Sequence, residues 1–388
     1  MIRKLKNLVS SPNGLPLISI IITCKNSLHT ITETLESLKN QTFKNFEVII
    51  VDGFSSDGTY EYLIKESKRW PVLKVFQKNG NPATGRNLAI KMSNGEYLAF
   101  IDADAYADKK WLEILLSNIV EREREGFVCI GGPGLIPEKS SLIEKAIGFT
   151  ISHPLINGWT RNNLIWNKIR EVEHNPFFNV ICPKWIFERV GLLDERLDIG
   201  EDVEFGCRLR KYGYKVLYIP NAIVYHHRKS NLGKLMRQMF NYGFWRSVLR
   251  SISFSSNKLY NLLLYYLVPT APLLLISTSL YIVIFKNLLL IRILALIFTA
   301  YLTIISYVAL KVALKLRSMK AFFISLVGSL VTHSGYILGL LAGLVLGSNK
   351  LKLNLRNKNG GHSEFISKVF KSTMSRFFYG ISSALRRG

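Results

Sequence analysis

The sequence predicts an α/β domain built on a mainly parallel sheet, followed by an α-helical membrane domain. Three observations carry this. Over residues 17–130, apolar runs of strand length alternate with helix-length amphipathic runs, and that alternation means β-α-β units. The charge of this 388-residue chain, net +24, is divided unevenly: residues 1–204 hold 25 Lys+Arg against 26 Asp+Glu, whereas residues 205–388 hold 26 against the single acid Glu364. The basic part also contains the longest apolar runs, so its charge points to an anionic membrane surface more than to nucleic acid.

The elements follow in order. "LISIIIT" reads as a buried strand, and "SLHTITETLESLKNQ" has helical spacing at Leu28, Ile31, Leu35 and Leu38. "FEVIIVD" is a strand, "GTYEYLIKESKRW" a helix, "VLKVFQ" a strand and "PATGRNLAIKMS" a helix. "YLAFIDAD" is a strand, "WLEILLSNIVERERE" a helix and "FVCIGG" a strand. Residues 131–200, with Gly131, Gly132, Pro133, Gly134, Pro137 and Pro154, read as an inserted substrate-facing region rather than more sheet. "GEDVEFGCRLRKYGYKVLYIP" then gives a helix from Glu201 and a strand up to Pro220.

The expected organisation is an N-terminal extension (1–16), the α/β domain (17–227), a basic segment (228–258), a transmembrane region (259–347) and a basic tail (348–388). Residues 228–258 carry seven Lys+Arg and no acid, with an interrupted apolar stripe from Leu232 to Ile252. Such a helix lies in a membrane interface or packs on its own domain. The apolar stretches 261–285, 288–310 and 321–347 each exceed the ~30 Å hydrocarbon thickness at about 1.5 Å per residue, so about three spans are expected. Lys311, Lys315, Arg317 and Lys320 place the loop after the second span inside, and the α/β domain with it. The tail then falls on the wrong side for its charge, unless 321–347 is a hairpin helped by Gly335 and Gly339. Phe365 to Ile381 suggest a further interfacial helix. Before Pro16 there is no long apolar core, hence no signal peptide is expected. Cys24, Cys129, Cys182 and Cys207 are far apart in sequence and suggest neither zinc nor disulfides.

Ligands of parallel α/β sheets bind at the carboxyl ends of the strands. Thr23, Lys25, Asp52, Asp102 and Asp104 all fall there on this reading. In "YLAFIDADAY" a strand ends on two carboxylates two residues apart, which strand geometry aims at one face. Like charges that close need a cation or donors between them, and oxygen ligands suit Mg²⁺ or Mn²⁺. The simpler reading is that Asp104 or Asp108 caps the next helix.

These residues also match a family. "ISIIITCKN", "LHTITETLESLKNQTFKNFEVIIVDGFSSDGT", "TGRNLAI", "YLAFIDADA" and "VGLLDERLDIGEDVEFGCRLRKYGYKV" occur in the order and spacing of the family 2 glycosyltransferases with the GT-A (Rossmann-like) fold, which the chain resembles over roughly residues 17–227. "YHHRKSNLGKLMRQMFNYGFWR" and "THSGYILGLLAGL" resemble its membrane-bound succinoglycan-synthesis type.

The resemblance implies a nucleotide-diphosphate-sugar donor, of the UDP-sugar kind, held in part by Thr23 and Lys25. Asp52 would accept from the base; the family's common second aspartate is Gly53 here. Arg86, by itself a surface arginine on a helix, would contact the donor's phosphates. Asp102 and Asp104 would hold Mg²⁺ or Mn²⁺ through the diphosphate, and His226 resembles the histidine that completes the metal site, with His227 its rival. Glu201–Asp202 matches the acceptor-side acidic pair, Asp202 being the general base; read alone, the pair is an acidic helix start. One base without a covalent intermediate implies inversion at the anomeric carbon. Gln238, Trp245 and Arg246 are weaker acceptor-site candidates, since the glutamine-and-tryptophan spacing of processive synthases is not kept.

The expected activity is therefore a membrane-anchored, metal-dependent, inverting glycosyltransferase of the cell membrane. It is multi-pass, has its catalytic domain in the cytoplasm, and acts on a lipid-linked or glycan acceptor. The alternative within the class is a polyprenyl-phosphate sugar synthase. A transporter would need more spans, and the near-neutral charge of residues 1–204 argues against a nucleic-acid partner.

Overall fold

The computed structural model describes residues 17–157, 165–253 and 288–354. Contacts divide these into two compact units: residues 17–138 with 165–227, and residues 139–157 with 228–253 and 288–354.

The first unit opens with β1 (Ile18–Cys24), α1 (Leu28–Lys39), β2 (Phe46–Asp52), α2 (Thr59–Arg69), β3 (Leu73–Gln77), α3 (Pro82–Met92) and β4 (Tyr97–Ile101). It continues with β5 (Ala105–Ala107), α4 (Trp111–Arg122), β6 (Phe127–Gly131) and β7 (Gly134–Leu135). After α5 (Leu142–Ser152) and α6 (Pro154–Asn157), which belong to the second unit, come β8 (Arg170–Val172), β9 (Asn179–Pro183), α7 (Trp185–Val190), α8 (Glu201–Lys211), β10 (Lys215–Tyr218) and β11 (Val224–His226). The main sheet has the order β3-β2-β1-β4-β9-β6-β10-β8, and a small sheet has the order β5-β11-β7.

Sequence dictates these elements directly. Every residue of β2 is buried, and β1 is buried apart from Thr23, as expected of parallel strands covered on both faces. Ile18, Ile20 and Ile22 join Ile31, Leu35 and Leu38 of α1 in one core, while Ile21 joins Val51 and Phe100 in the core on the other face. Each such side chain contributes about 1.5–3 kcal/mol by burial. Asn81 caps α3 by accepting from Thr84 N, with Pro82 at the first turn. A Cβ on Gly85 would sit 2.8 Å from Thr23 Cγ2, so only glycine lets α3 lie this close to β1.

The reading of residues 131–200 as something other than sheet is corrected. β9 is a central strand, antiparallel to both β4 and β6. Its five residues, the last of them Pro183, are too few to announce themselves, and burial is complete along them. Cys129 and Cys182, distant in sequence, meet thiol to thiol across β6 and β9, both free and buried. The central sheet is thus mixed, with its parallel strands β3-β2-β1-β4 bearing the strand ends of interest.

The second unit consists of α5, α6, α9 (Leu232–Ser253), α10 (Leu288–Leu316) and α11 (Met319–Asn354). Two of these helices hold stretches long and apolar enough to cross a membrane, Arg292–Leu316 and Met319–Val345. The expected span 261–285, the extension 1–16 and most of the tail lie outside the described residues. The run 321–347 is one continuous helix rather than a hairpin.

Its glycines instead let α9 approach α11. A Cβ on Gly339 would fall 1.9 Å from Phe240 O, one on Gly343 2.5 Å from Phe244 O, and one on Gly243 2.0 Å from Tyr336 O. Backbones that meet at small residues give van der Waals contact that larger side chains prevent. The apolar side of α9 is spent on this contact: Leu235, Met239, Phe240, Phe244, Trp245 and Leu249 are buried. Within residues 228–258, α9 is thus a helix packed in the second unit, and residues 254–258 lie outside the described residues. Polar groups join the remaining helices: Thr150 Oγ1 donates to Ser325 Oγ at 2.7 Å. His333 Nε2 bonds Ile156 O at 3.0 Å, leaving Nδ1 to accept from Tyr301 OH at 3.0 Å, because a carbonyl can only accept.

Gly339→Ala should destabilise the second unit by about 1–3 kcal/mol through forced separation of backbones. Gly328→Ala, whose new Cβ would find Leu232 Cδ2 at 4.0 Å, should be neutral or slightly stabilising. Thermal unfolding of the two variants side by side checks this.

Candidate active site

The site grows from the end of β4. The strand stops at Ile101, and Asp102 to Asp104 form a turn into β5, closed by Ala105 N donating to Asp102 O at 3.1 Å. The two carboxylates are therefore aligned by a turn, not by strand alternation. The residue between them is small because Ala103 packs into the core, its carbonyl accepting from Thr34 Oγ1 at 3.1 Å. Asp108 Oδ1 accepts from Lys110 N, the N-cap residue of α4, at 3.0 Å.

β11 pairs with β5 so that His226 lies opposite Ala105. This brings His226 Nε2 to 3.0 Å from Asp104 Oδ1. Ligand atoms of Asp102, Asp104 and His226 all lie within 4.8 Å of one another. His226 Nδ1 is buried with no hydrogen-bond partner among the described residues, and the ring lies tilted against that of Phe178, their centroids 4.8 Å apart. The rival His227 points elsewhere, its Nε2 2.8 Å from Glu33 Oε2. Two carboxylates and an imidazole at one strand end suit a divalent cation of the Mg²⁺ or Mn²⁺ kind.

Arg86 is not a surface arginine, which corrects that reading of it. It is buried on α3, its guanidinium lying 5.3 Å from the Phe177 ring. One terminal nitrogen donates to Glu201 Oε1 and the other to Asp102 Oδ1 at 2.9 Å. The cation therefore locks the first turn of α8 to the end of β4. Asp202, next to Glu201, is half-buried and accepts from Val203 N at 2.8 Å. Burial first, and the Glu201 carboxylate second, push its carboxyl up to about 7. A carboxylate of that basicity takes a proton near neutral pH.

The remaining candidates are dispersed. Asp52 is fully buried. Its carboxylate accepts from Ser55 N and Gln77 Nε2, each at 3.0 Å, from Ser55 Oγ and from Cys24 Sγ. These bonds tie it to the loop after β2 and to β1 and β3. Thr23 packs on Gly85, and Lys25 is exposed at the end of β1. Gln238, Trp245 and Arg246 belong to the second unit. Gln238 donates to Tyr242 OH at 3.1 Å, and Trp245 is buried beside Phe244.

Sequence reasoning missed Asn179. It is wholly buried, donates to Pro133 O at 2.9 Å and Ala222 O at 2.7 Å, and accepts from Trp111 Nε1 at 2.8 Å. These bonds tie β9 to the turns before β7 and β11, and so to the strand carrying His226. A polar residue opening an otherwise apolar strand, "NVICP", was the signal available.

The "Glycosyl transferase family 2" profile matches residues 19–189, and the "Glycosyl transferase family group 2" profile matches residues 174–317. The Methanococcus voltae protein named "Dolichyl N-acetyl-alpha-D-glucosaminyl phosphate 3-beta-D-2,3-diacetamido-2,3-dideoxy-beta-D-glucuronosyltransferase" is 27% identical over 232 residues, 58% of this chain and 71% of that one. The Escherichia coli "UDP-Glc:alpha-D-GlcNAc-diphosphoundecaprenol beta-1,3-glucosyltransferase WfaP" is 39% identical over 104 residues, 26% of this chain and 39% of that one. The mannosyltransferase PcManGT from Pyrobaculum calidifontis, solved with GDP-Man and Mn²⁺, shares the fold with a TM-score of 0.53 at 15% identity, over 84% of this chain and 93% of that one. The fold and the profile matches define a GT-A glycosyltransferase. The chain belongs to the family 2 glycosyltransferases.

Arg86→Met should destabilise the first unit by about 3–5 kcal/mol, since it strands a buried carboxylate. A double variant, Arg86→Met with Glu201→Gln, should recover part of that loss. Denaturant unfolding of both measures it.

Proposed function

We propose that this glycosyltransferase is metal-dependent and inverting, and that it moves a sugar from a nucleoside-diphosphate donor to a lipid-linked sugar acceptor. The carrying observation is the juxtaposition of two sets of groups through one buried cation. The Asp102–Asp104–His226 cluster lies on one side of Arg86, and Glu201 with Asp202 on the other. In this reading Asp102, Asp104 and His226 hold a divalent cation. That cation, when bound, neutralises charge on the leaving diphosphate. Arg86 holds Asp102 in place and keeps Glu201 beside Asp202. Asp202 accepts the proton of the acceptor hydroxyl as its oxygen attacks the anomeric carbon, and direct displacement inverts that carbon.

A lipid-linked acceptor is supported by what the relatives are named for, a dolichyl-phosphate-linked and a diphosphoundecaprenol-linked sugar. It is supported also by the two apolar helices. The same features favour a sugar hydroxyl over a bare polyprenyl phosphate as the acceptor. The membrane-anchored arrangement, with the first unit (residues 17–227 apart from the 139–164 insertion) on the cytoplasmic face, follows from the basic loop between α10 and α11, Lys311 to Lys320.

Asp104→Asn should abolish turnover and Mn²⁺ affinity together while leaving the chain folded. Undiminished turnover that still requires the metal would overturn the ligand assignment. Asp202→Asn should retain donor affinity and lose transfer by about 10²–10⁴-fold. In the unsubstituted protein kcat/KM should fall as pH drops through about 7, because protonation removes the base. Asp202→Asn should flatten that limb. A donor affinity that collapses with Asp202→Asn would place Asp202 in the donor site instead.

A further inference from the structure

Residues 139–164 belong to the second unit, although the chain before and after them belongs to the first. Their helices α5 and α6 run along α10 and α11, and the contacts step in one direction. Lys315 Nζ lies 3.8 Å from the centroid of the Phe149 ring. Thr150 Oγ1 reaches Ser325 Oγ at 2.7 Å. The His153 ring meets that of Tyr307 edge-on, centroids 6.2 Å apart. Ile156 O accepts from His333 Nε2 at 3.0 Å, and His333 also holds Tyr301.

Each partner stands farther from the turn that joins α10 to α11, Arg317 and Ser318. Lys315 adjoins that turn, Ser325 is six residues along α11 from Met319, and Tyr307 is nine residues back along α10 from Leu316. His333 and Tyr301 are fourteen and fifteen residues from those same ends. At about 1.5 Å per residue, α6 therefore lies roughly 21 Å from the turn.

The outside of the unit is apolar at that height. Leu296, Ile297, Phe298, Leu302 and Ile304, which flank Tyr301 on α10, are all exposed. If α10 and α11 cross a membrane with the basic turn at its surface, these side chains face acyl chains. A hydrocarbon layer of ~30 Å then puts Ile156 past the midplane. Leu155, next to it, is 41% exposed.

The break between α5 and α6 is closed as that location demands. His153 N donates to Thr150 O at 3.1 Å, and Ile156 N and Asn157 N donate to His153 O at 2.9 and 3.1 Å. Asn157 Nδ2 donates to Ile151 O at 3.0 Å, and His333 takes the Ile156 carbonyl. At membrane depth, a broken helix is tolerated only where protein partners satisfy its backbone. In water, solvent serves the ends of a helix as well.

We propose that α5 and α6 form a re-entrant membrane segment whose partner is the hydrocarbon of the bilayer. This rests on the membrane-anchored reading above. The chain enters lipid alongside α11. Because residues 138 and 165 both belong to the first unit, it returns to the side from which it came. The first unit then has an anchor within its own sequence, besides the helices that follow it.

The test places a nitroxide on Lys139→Cys, Leu155→Cys and Leu302→Cys, each in the full chain reconstituted in phospholipid vesicles. All three positions are exposed, so the label displaces no packed side chain. The native cysteines are buried, and the unsubstituted protein treated alike gives the background. Collisions with oxygen, which concentrates in hydrocarbon, are compared with collisions with a water-soluble nickel chelate. Lys139, ahead of α5, sets the value for water, and Leu302, at the height of Ile156, sets the value for lipid. The Leu155 label should match Leu302, with nickel collisions lost relative to Lys139. A Leu155 label that meets nickel as Lys139 does, while Leu302 does not, overturns the proposal and leaves the spanning helices in place. A Leu302 label that meets nickel as freely as Lys139 overturns the membrane reading itself, and this proposal with it.

Discussion

The site depends on one buried cation. Arg86 is enclosed between a strand end and a helix start, and it meets a carboxylate from each. Without it, Asp102 and Glu201 would face each other as like charges in a poorly solvated place. With it, repulsion becomes a fixed distance between the turn after β4 and the first turn of α8. Arginine suits this better than lysine, since its planar fork supplies two donors aimed at different partners. The same arrangement sets the environment of Asp202, whose raised proton affinity comes from burial beside Glu201.

A second support holds His226. Its strand pairs only with short partners, β5 and β7, and a sheet of such strands is weak by itself. Asn179 supplies what pairing does not, by satisfying carbonyls of both flanking turns from within the main sheet. Gly132 permits the approach: a Cβ there would lie 2.0 Å from Ala222 O. The histidine is thus positioned through a residue with which it shares no hydrogen bond.

The parallel half of the sheet was legible because β1, β2 and β4 are long apolar runs with helices of clear period between them. Asp102 and Asp104 were legible together, since strand ends in such sheets converge, whereas His226 was legible only through the resemblance to the family's metal-site histidine. Three things were not legible, each for a physical reason. β9 is short and ends on a proline, so periodicity had too few residues to act on. The partners of Arg86 and Asp52 depend on which groups tertiary structure brings within reach, and a sequence shows only residue type. The stripe on α9 carried no sign of what would cover it; glycines eighty to a hundred residues later, at Gly335, Gly339 and Gly343, decided that. Gly335 and Gly339 were read as helping a hairpin, although glycine in apolar helices also marks close packing.

The central place of β9 bears on how the chain assembles. β4 ends at Ile101 and β6 begins at Phe127, yet the strand that joins them is Asn179–Pro183. During synthesis β1 to β4 can pair as they emerge, because each contact spans a few tens of residues. β6 has no place in that sheet until some fifty further residues have been made, including α5 and α6, which belong to the other unit. Until then the β4 edge, Tyr97–Ile101, presents unpaired backbone groups and an apolar face, the combination that invites pairing with another chain. Closing the sheet is consequently a long-range event, slow relative to local β-α-β formation. The nascent first unit is most exposed to misassembly between the emergence of residue 101 and that of residue 183.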